Sequence, residues 1–429
     1  MFRRTGFGLF ICITLVLFYC NLSFAVGAAG FRNEVPDAEA MGKGSAFVAQ
    51  ADNPSAVYFN PAGLTQLDGE HVSISCAAEF PMAEVETDND GTVNMQREYF
   101  LIPSLYFVSA LNSENLRFGL GLTAPYGLSS DWAQDSFASR VSAESELGYY
   151  NLAPTLAYKV NDYLSIGGGI DYFYSKIIKH KRLSAALSSN GNFQLKGNDE
   201  GWGYNIGVLL QPSPKHSIGL SYRSEIDFSY TGKLSLDNID QGLYPVIFGG
   251  ASYSTDVKTE LTLPRSLALG YAYRPNDKWT FEIDFEWTDW ASVEQDRVEF
   301  LTETDATRLA VLNSGNPAAK DWNDVGAIGL GVEYKVTDNM ALRTGYIFEN
   351  SPVPSANFDT ALPDADRHAL TLGFGYDLRD NIKLDFSYMA LFFRERDVTN
   401  DVGLIVGTDI DGKYKQIIHI YSLGITYSY

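Results

Sequence analysis

The sequence predicts an all-β membrane protein: a 14-stranded antiparallel transmembrane β-barrel with an N-terminal hatch, or plug, inside its lumen. Three observations carry that prediction. Bulky apolar residues alternate with small or charged ones along most of the chain. Short polar turns alternate with long acidic connections, and an export leader precedes the first strand.

The leader comes first. Arg3 and Arg4 form a charged start, residues 9–19 are an apolar stretch, and small residues follow over 23–29. Residues 1–25 are read as a signal peptide, with cleavage after Ala25 or Ala28. Cys12 and Cys20 leave with it, so Cys76 is the single mature cysteine and no intrachain disulfide can form. The formal net charge is −21 before Arg3 and Arg4 are lost, which excludes a nucleic-acid partner. Beyond the leader no apolar run reaches the roughly 20 residues that a membrane helix needs.

Residues 29–69 do not alternate. They are rich in Ala, Gly and Asn, and short helices are expected around 38–47. On the periplasmic side of a wide barrel such a segment reads as an internal plug, with a free periplasmic tail as the alternative.

Residues 70–429 form the barrel. Trp279, Phe281, Ile283, Phe285 and Trp287 alternate with Thr280, Glu282, Asp284 and Glu286. Similar stripes run through 116–122, 164–174, 218–222, 267–273, 328–334, 370–376, 382–388 and 419–429. Alternate side chains of a strand point to opposite faces, so each stripe is an apolar wall backed by another surface. That surface carries Glu282, Asp284, Glu286, Arg343, Glu349, Asp385 and many glycines. One wall therefore faces oil and the other a wet or plugged interior. Trp279, Trp287, Tyr427 and Tyr429 sit at strand ends, as interfacial girdles do. The terminal aromatic Tyr429 also suits recognition by the barrel-assembly machinery.

Short turns fall at 112–115, 161–162, 212–215, 275–278, 337–339 and 379–381. Long polar segments fall at 81–97, 128–145, 176–201, 232–258, 289–324, 350–366 and 395–414. This rhythm gives the strand count and puts both chain ends on the short-turn side. Closure removes sheet edges and satisfies the backbone where there is no water.

At residues 53–67, NPSAVYFNPAGLTQL, the chain resembles the hatch of the FadL family of outer-membrane transporters for long-chain fatty acids and other hydrophobic compounds. Ala29-Gly30-Phe31 resembles the family's mature start, and Ala124-Pro125-Tyr126-Gly127-Leu128 its kinked third strand. Leu263-Pro264, Asn350-Ser351-Pro352-Val353-Pro354 and residues 362–367 add to the likeness. The resemblance implies a 14-stranded barrel with a hatch and passive uptake at the cell outer membrane. Ligand would be captured in an apolar groove among the outer loops, pass to an internal pocket and leave through a gap in the wall.

Candidate residues follow. Leu183, Leu187 and Phe193 in one outer segment, with Tyr244, Val246, Ile247 and Phe248 in another, are apolar islands in polar loops and candidates for capture. A carboxylate needs a cation at depth; Lys181, Arg182 and Lys320 are the candidates, on the resemblance's placing of basic residues near 181 and 323. Asn323 itself departs from that pattern and keeps neutral hydrocarbons open as ligands. Phe31 is expected to fill the pocket until ligand displaces it. Pro125, Tyr126 and Gly127 interrupt a strand and are candidates for the lateral gate, because proline removes a ladder donor. Asn60, Pro61 and Ala62 are expected to fix a hatch turn beside the exit. No catalytic residue, metal or cofactor is expected: His71, His180, His216, His368 and His419 are scattered. Expected partners are hydrophobic small molecules (fatty acids, hydrocarbons), outer-membrane lipid and lipopolysaccharide phosphates near the 179–182 basic run. A monomer is expected. The rival function is a general diffusion porin for small polar solutes.

Overall fold

The computed structural model describes residues 30–33 and 35–429; the signal peptide lies outside them. Fourteen antiparallel strands form one closed barrel. The first seven are β1 (Glu70–Thr87), β2 (Phe100–Ser109), β3 (Leu116–Thr123, continuing as Gly127–Asp131), β4 (Glu144–Lys159), β5 (Leu164–Arg182), β6 (Asn192–Ser213) and β7 (His216–Arg223 with Ile226–Asp237). The rest are β8 (Ser252–Leu263 with Ser266–Asn276), β9 (Trp279–Thr288), β10 (Val325–Thr337), β11 (Met340–Glu349), β12 (Arg367–Arg379), β13 (Ile382–Phe393) and β14 (Gly412–Ser428). Each strand pairs with its sequence neighbours. β1 and β14 close the ring in an unbroken register from His71↔Ser428 to Glu86↔Lys413. Among the described residues no helix is long and apolar enough to cross a membrane.

The six short turns fall where the polar punctuation puts them. The loops do not all keep their expected lengths: much of 176–201 and 232–258 is strand, since β5, β6, β7 and β8 continue beyond the apolar belt. Polar strands in water still satisfy their backbone by pairing, and apolar alternation no longer marks them.

The barrel is apolar outside and polar within. Ile170, Ile206, Leu269, Leu372 and Leu423 are exposed on its outer wall, whereas Glu282, Asp284, Glu333, Arg343 and Asp385 are buried. β7 and β8 add a twist to this pattern. On β7, Leu220 is 41% exposed, but Phe228, at the same parity, is 1% exposed. The break at Ser224 and Glu225 shifts the alternation by one residue, so the apolar stripe crosses from the lipid face to the inner face. Pro264 and Arg265 do the same on β8, where Leu263 is buried and Leu267 exposed. Both strands thereby line the upper lumen with apolar side chains.

Residues 30–33 and 35–69 pack against the inward faces of the strands. The helix expected around 38–47 is confined to Ala38–Met41, capped by Asp37, because Gly44 and Ser45 adopt positive φ and end it. The backbone N–H groups of Phe47 and Val48 donate to Asp284 at 2.8 and 2.9 Å. Those of Ala49 and Gln50 donate to Glu282 at 2.7 and 3.1 Å. A Cβ on Gly219 of β7 would lie 2.1 Å from the Val48 carbonyl oxygen, so glycine there is what lets the two backbones meet.

A buried ion cluster ties this segment to the wall. Arg343 of β11, 1% exposed at its side chain, contacts Asp385 at 2.6 Å, Glu333 at 2.7 Å and Glu39 at 3.4 Å. Glu39 also pairs with Lys383 at 2.6 Å and Lys43 at 3.6 Å. Removing one partner of a buried network leaves charge uncompensated. Arg343→Met should therefore destabilise the folded barrel by about 3–5 kcal/mol, read from urea unfolding in detergent micelles. A loss below about 1 kcal/mol would show that water reaches the cluster.

Candidate functional site

Above the residue 30–69 segment the upper halves of the strands and the outer loops border a largely apolar, partly open cavity. Its walls include Leu147, Ile177, Tyr230, Leu261, Val293 and Trp322, and Phe31 lies at its edge. Phe31 is buried in an aromatic nest. Its ring centroid is 4.7 Å from that of Trp290, 6.0 Å from Trp322 and 6.2 Å from Tyr149, with Tyr126 at 6.3 Å. Gly30 precedes it at φ +65°, and a Cβ there would lie 2.7 Å from the Trp290 ring, so no larger residue fits.

The break in β3 and the chain at Phe31 belong to one arrangement. The Gly127 N–H donates to the Phe31 carbonyl at 2.8 Å, and the Asn33 N–H donates to the Pro125 carbonyl at 2.8 Å. Arg32 and Tyr126 form an isolated antiparallel bridge. Residues 31–33 thus supply the partners that Pro125 and its neighbours do not find in the wall. Pairing of β2 with β3 covers only residues 105–109 against 118–122, whereas β1 pairs with β2 over residues 100–109. After its break β3 pairs with β4. The upper half of β2 therefore has no ladder to β3, and a seam opens there.

The predicted site residues separate into groups. Leu183 and Phe248 are buried in the same apolar cluster as Phe31, and Leu187, Phe193, Tyr244 and Ile247 pack against it. Val246 does not join them: at 78% exposed it points to solvent, because Tyr244–Ile247 is a single helical turn and only part of it can face inward. Lys320 lines the cavity. Lys181 stands higher on β5, its ammonium 5.0 Å from the Phe193 ring. Arg182 lies at the opposite parity and bonds outer-loop groups, the Ser189 carbonyl at 3.0 Å and Asn190. Asn60, Pro61 and Ala62 rest on β5 and β6, where a Cβ on Gly207 would lie 2.1 Å from Asn60 Oδ1. The backbone bonds that hold Pro125 and Gly127 come from residues 31–33.

Sequence reasoning passed over Lys179, Trp290 and Trp322. Lys179 pairs with Asp296, and Lys320 with Asp359, at the cavity's polar edge. Burial alone would raise the Asp296 carboxyl, but Lys179, Lys320 and Lys181 bring it down to about 2. Burial likewise pulls the Lys320 ammonium down, and Asp359 and Asp296 more than restore it. The indole N–H groups of Trp290 and Trp322 are buried without a partner among the described residues. Of the two, only Trp322 belongs to the cavity wall, so the cavity has one unspent indole donor beside it, while Lys179 and Lys320 are already matched.

Asp296 titrates lower in the folded chain than its ordinary 3.8, so its pairing stabilises the structure above that value and is lost as pH falls through about 2. Asp296→Asn should lower the thermal midpoint at pH 7, and its difference from the parent should shrink between pH 4 and pH 2. Intrinsic tryptophan fluorescence reports this; a difference that stays constant across the range would contradict it.

A family model described as outer membrane protein transport protein (OMPP1/FadL/TodX) matches residues 20–429. The long-chain fatty acid transport protein of Salmonella typhi is similar at 26% identity over 411 residues, covering 89% of this chain and 92% of that one. Outer membrane protein P1 of Haemophilus influenzae is similar at 23% identity, covering 94% and 96%. Among solved structures, a Pseudomonas aeruginosa FadL homologue has TM-score 0.80 at 20% identity, covering 93% of this chain and 100% of its own. The Ralstonia pickettii toluene transporter TbuX has TM-score 0.68 at 18% identity, covering 95% and 99%.

Proposed function

Because the chain belongs to the OMPP1/FadL/TodX family of outer-membrane transport proteins, we propose that it admits long-chain fatty acids or related hydrophobic compounds passively across the outer membrane. The observation that carries this reading is the aromatic-walled cavity, with Phe31 at its edge, beside a seam in the wall. A water-filled pore gives a hydrophobe no route, since each methylene left in water forfeits about 0.8 kcal/mol. An apolar cavity does.

The steps follow the apolar cluster downward. Leu183, Leu187, Phe193, Tyr244, Ile247 and Phe248 take the ligand from the outer surface. The cavity receives it next, where it competes with Phe31 for the aromatic nest and meets the Trp322 indole and the clamped Lys179 and Lys320. A shift of Phe31 moves residues 31–33, which hold Pro125 and Gly127, and the seam between β2 and β3 becomes the lateral exit. Residues 29–69 act as the hatch: their bonds to Glu282 and Asp284 span the lumen below the cavity.

Two measurements test the proposal. Proteoliposomes carrying the intact protein should not swell in small sugars; rapid swelling would favour the porin. Gly127→Val, with the barrel still folded by heat-modifiability, should bring uptake of a radiolabelled fatty acid or toluene to background. Undiminished uptake would remove the lateral step.

A further inference from the structure

Arg223, Arg265, Arg308, Arg343 and Arg367 each meet a carboxylate at 3.0 Å or less. Arg140 and Arg182, at the outer rim, do not. Their hydrogen bonds all end on neutral oxygens. Arg140 donates to the carbonyls of Leu183, Ser188 and Ser189, and Arg182 to those of Gln134 and Ser189 and to the Asn190 side chain. Both reach the Ser189 carbonyl, at 3.4 and 3.0 Å, so two like charges are held side by side. Burial and the Arg182 charge together bring the Arg140 guanidinium below its ordinary value. Asp240 stands close by, but its oxygens turn to the Ser189 N–H and hydroxyl at 3.0 and 2.7 Å and to Gln241 at 2.9 Å. A guanidinium carries five N–H groups, and neither of these spends more than three. In a chain with 53 acidic residues against 32 basic ones, two adjacent arginines left without a carboxylate point to an anion from outside.

The surroundings give that anion an apolar tail. Arg140 closes the helical turn Phe137–Arg140. Phe137 and Ala138 are buried in the same apolar cluster as Leu183 and Phe31, and Val141 and Leu187 pack against it. The two guanidiniums therefore stand on the rim of the cluster, while Gln134, Ser189 and Asn190 beside them are exposed. A plain inorganic anion would use the charges and leave the apolar edge idle.

Height above the membrane separates the possible sources. Tyr174, 38% exposed on the outer wall, is the last aromatic of the apolar belt on β5, and Arg182 ends the strand. Between them lie about 27 Å of strand at the usual rise per residue. The headgroup layer adds only about 5–8 Å to each side of the hydrocarbon. The pair thus faces solutes arriving from water, not the headgroups of the surrounding bilayer.

We infer that Arg140 and Arg182 form an outer capture site for fatty carboxylates, with the head on the two guanidiniums and the tail against Leu187 and the edge formed by Phe137 and Leu183. The inference rests on the transport reading above and adds to it a preference for charge at the entrance, which the clamped Lys179 and Lys320 do not supply. Uptake of radiolabelled oleate and of toluene is measured in cells that carry the full chain in place of their own transporter. Arg140→Gln with Arg182→Gln should raise the half-saturating oleate concentration about tenfold, the worth of a charge-assisted hydrogen bond, and keep the maximal rate. Toluene has no charge and should enter as it does through the parent protein. Arg140→Lys with Arg182→Lys keeps both charges and should recover much of the loss. Decanoate in tenfold excess should compete with oleate, and acetate should not. Heat-modifiability checks that each variant is folded. If neither oleate nor toluene enters through the parent protein, the transport reading itself fails. If both enter and the glutamine pair alters neither, or slows both alike, or if acetate competes as well as decanoate, the capture site is overturned and transport stands.

Discussion

A chain in hydrocarbon must pair every backbone N–H and C=O within itself, and the rest of this structure follows from how the barrel meets that demand. Fourteen strands close through β1 and β14, so the ring has no free edge. The upper half of β2, which is not laddered to β3, is answered by chain from elsewhere: residues 31–33 bond Pro125 and Gly127. The segment that repairs the wall also carries Phe31 into the aromatic nest. Each of those bonds contributes about 1 kcal/mol net. On the proposed route, a ligand that took the place of Phe31 would act on the wall through contiguous backbone, with no need of a long-range signal.

The inward charges serve a different purpose from those at the cavity. Glu282 and Asp284 receive backbone N–H groups of residues 47–50, and the Arg343 cluster grips Glu39. These are arrangements that fix a segment in place, since every charge there has a partner of the opposite sign or a row of donors. At the cavity, Lys179–Asp296 and Lys320–Asp359 are also matched, but they stand beside the unspent Trp322 indole and apolar walls. The first set resists rearrangement; the second leaves room for a guest.

Much of this was legible in sequence where two faces meet different solvents. Alternation gave the strands and turns, and the inward placing of Glu282, Asp284, Arg343 and Asp385 follows from parity alone. Parity also separates Arg182 from Lys181, a distinction the basic run obscured. The choice between Lys179 and Lys181 was not legible: both share a face, and their depth depends on strand tilt and on Asp296 and Asp359, which lie far away in sequence. Trp290 and Trp322 sit in the long 289–324 connection, which has no period to read. The crossing of the apolar stripe on β7 and β8 was hidden too, because Leu220 and Phe228 look alike until the break between them is seen to shift the register.

The matched lysines bear on what the proposed route can discriminate. An arriving carboxylate at Lys179 or Lys320 replaces one carboxylate by another, so the exchange of ion pairs is close to neutral and supplies little net affinity. Selection then depends on apolar fit and on the few uncommitted donors and acceptors. Apolar fit in turn is worth much against water, about 0.8 kcal/mol per methylene, but little against a lipid that already surrounds the chain. A cavity of this kind binds strongly from the aqueous side and weakly from the membrane side. That asymmetry suits release into a bilayer through the wall, and it leaves net direction to whatever consumes the ligand beyond it.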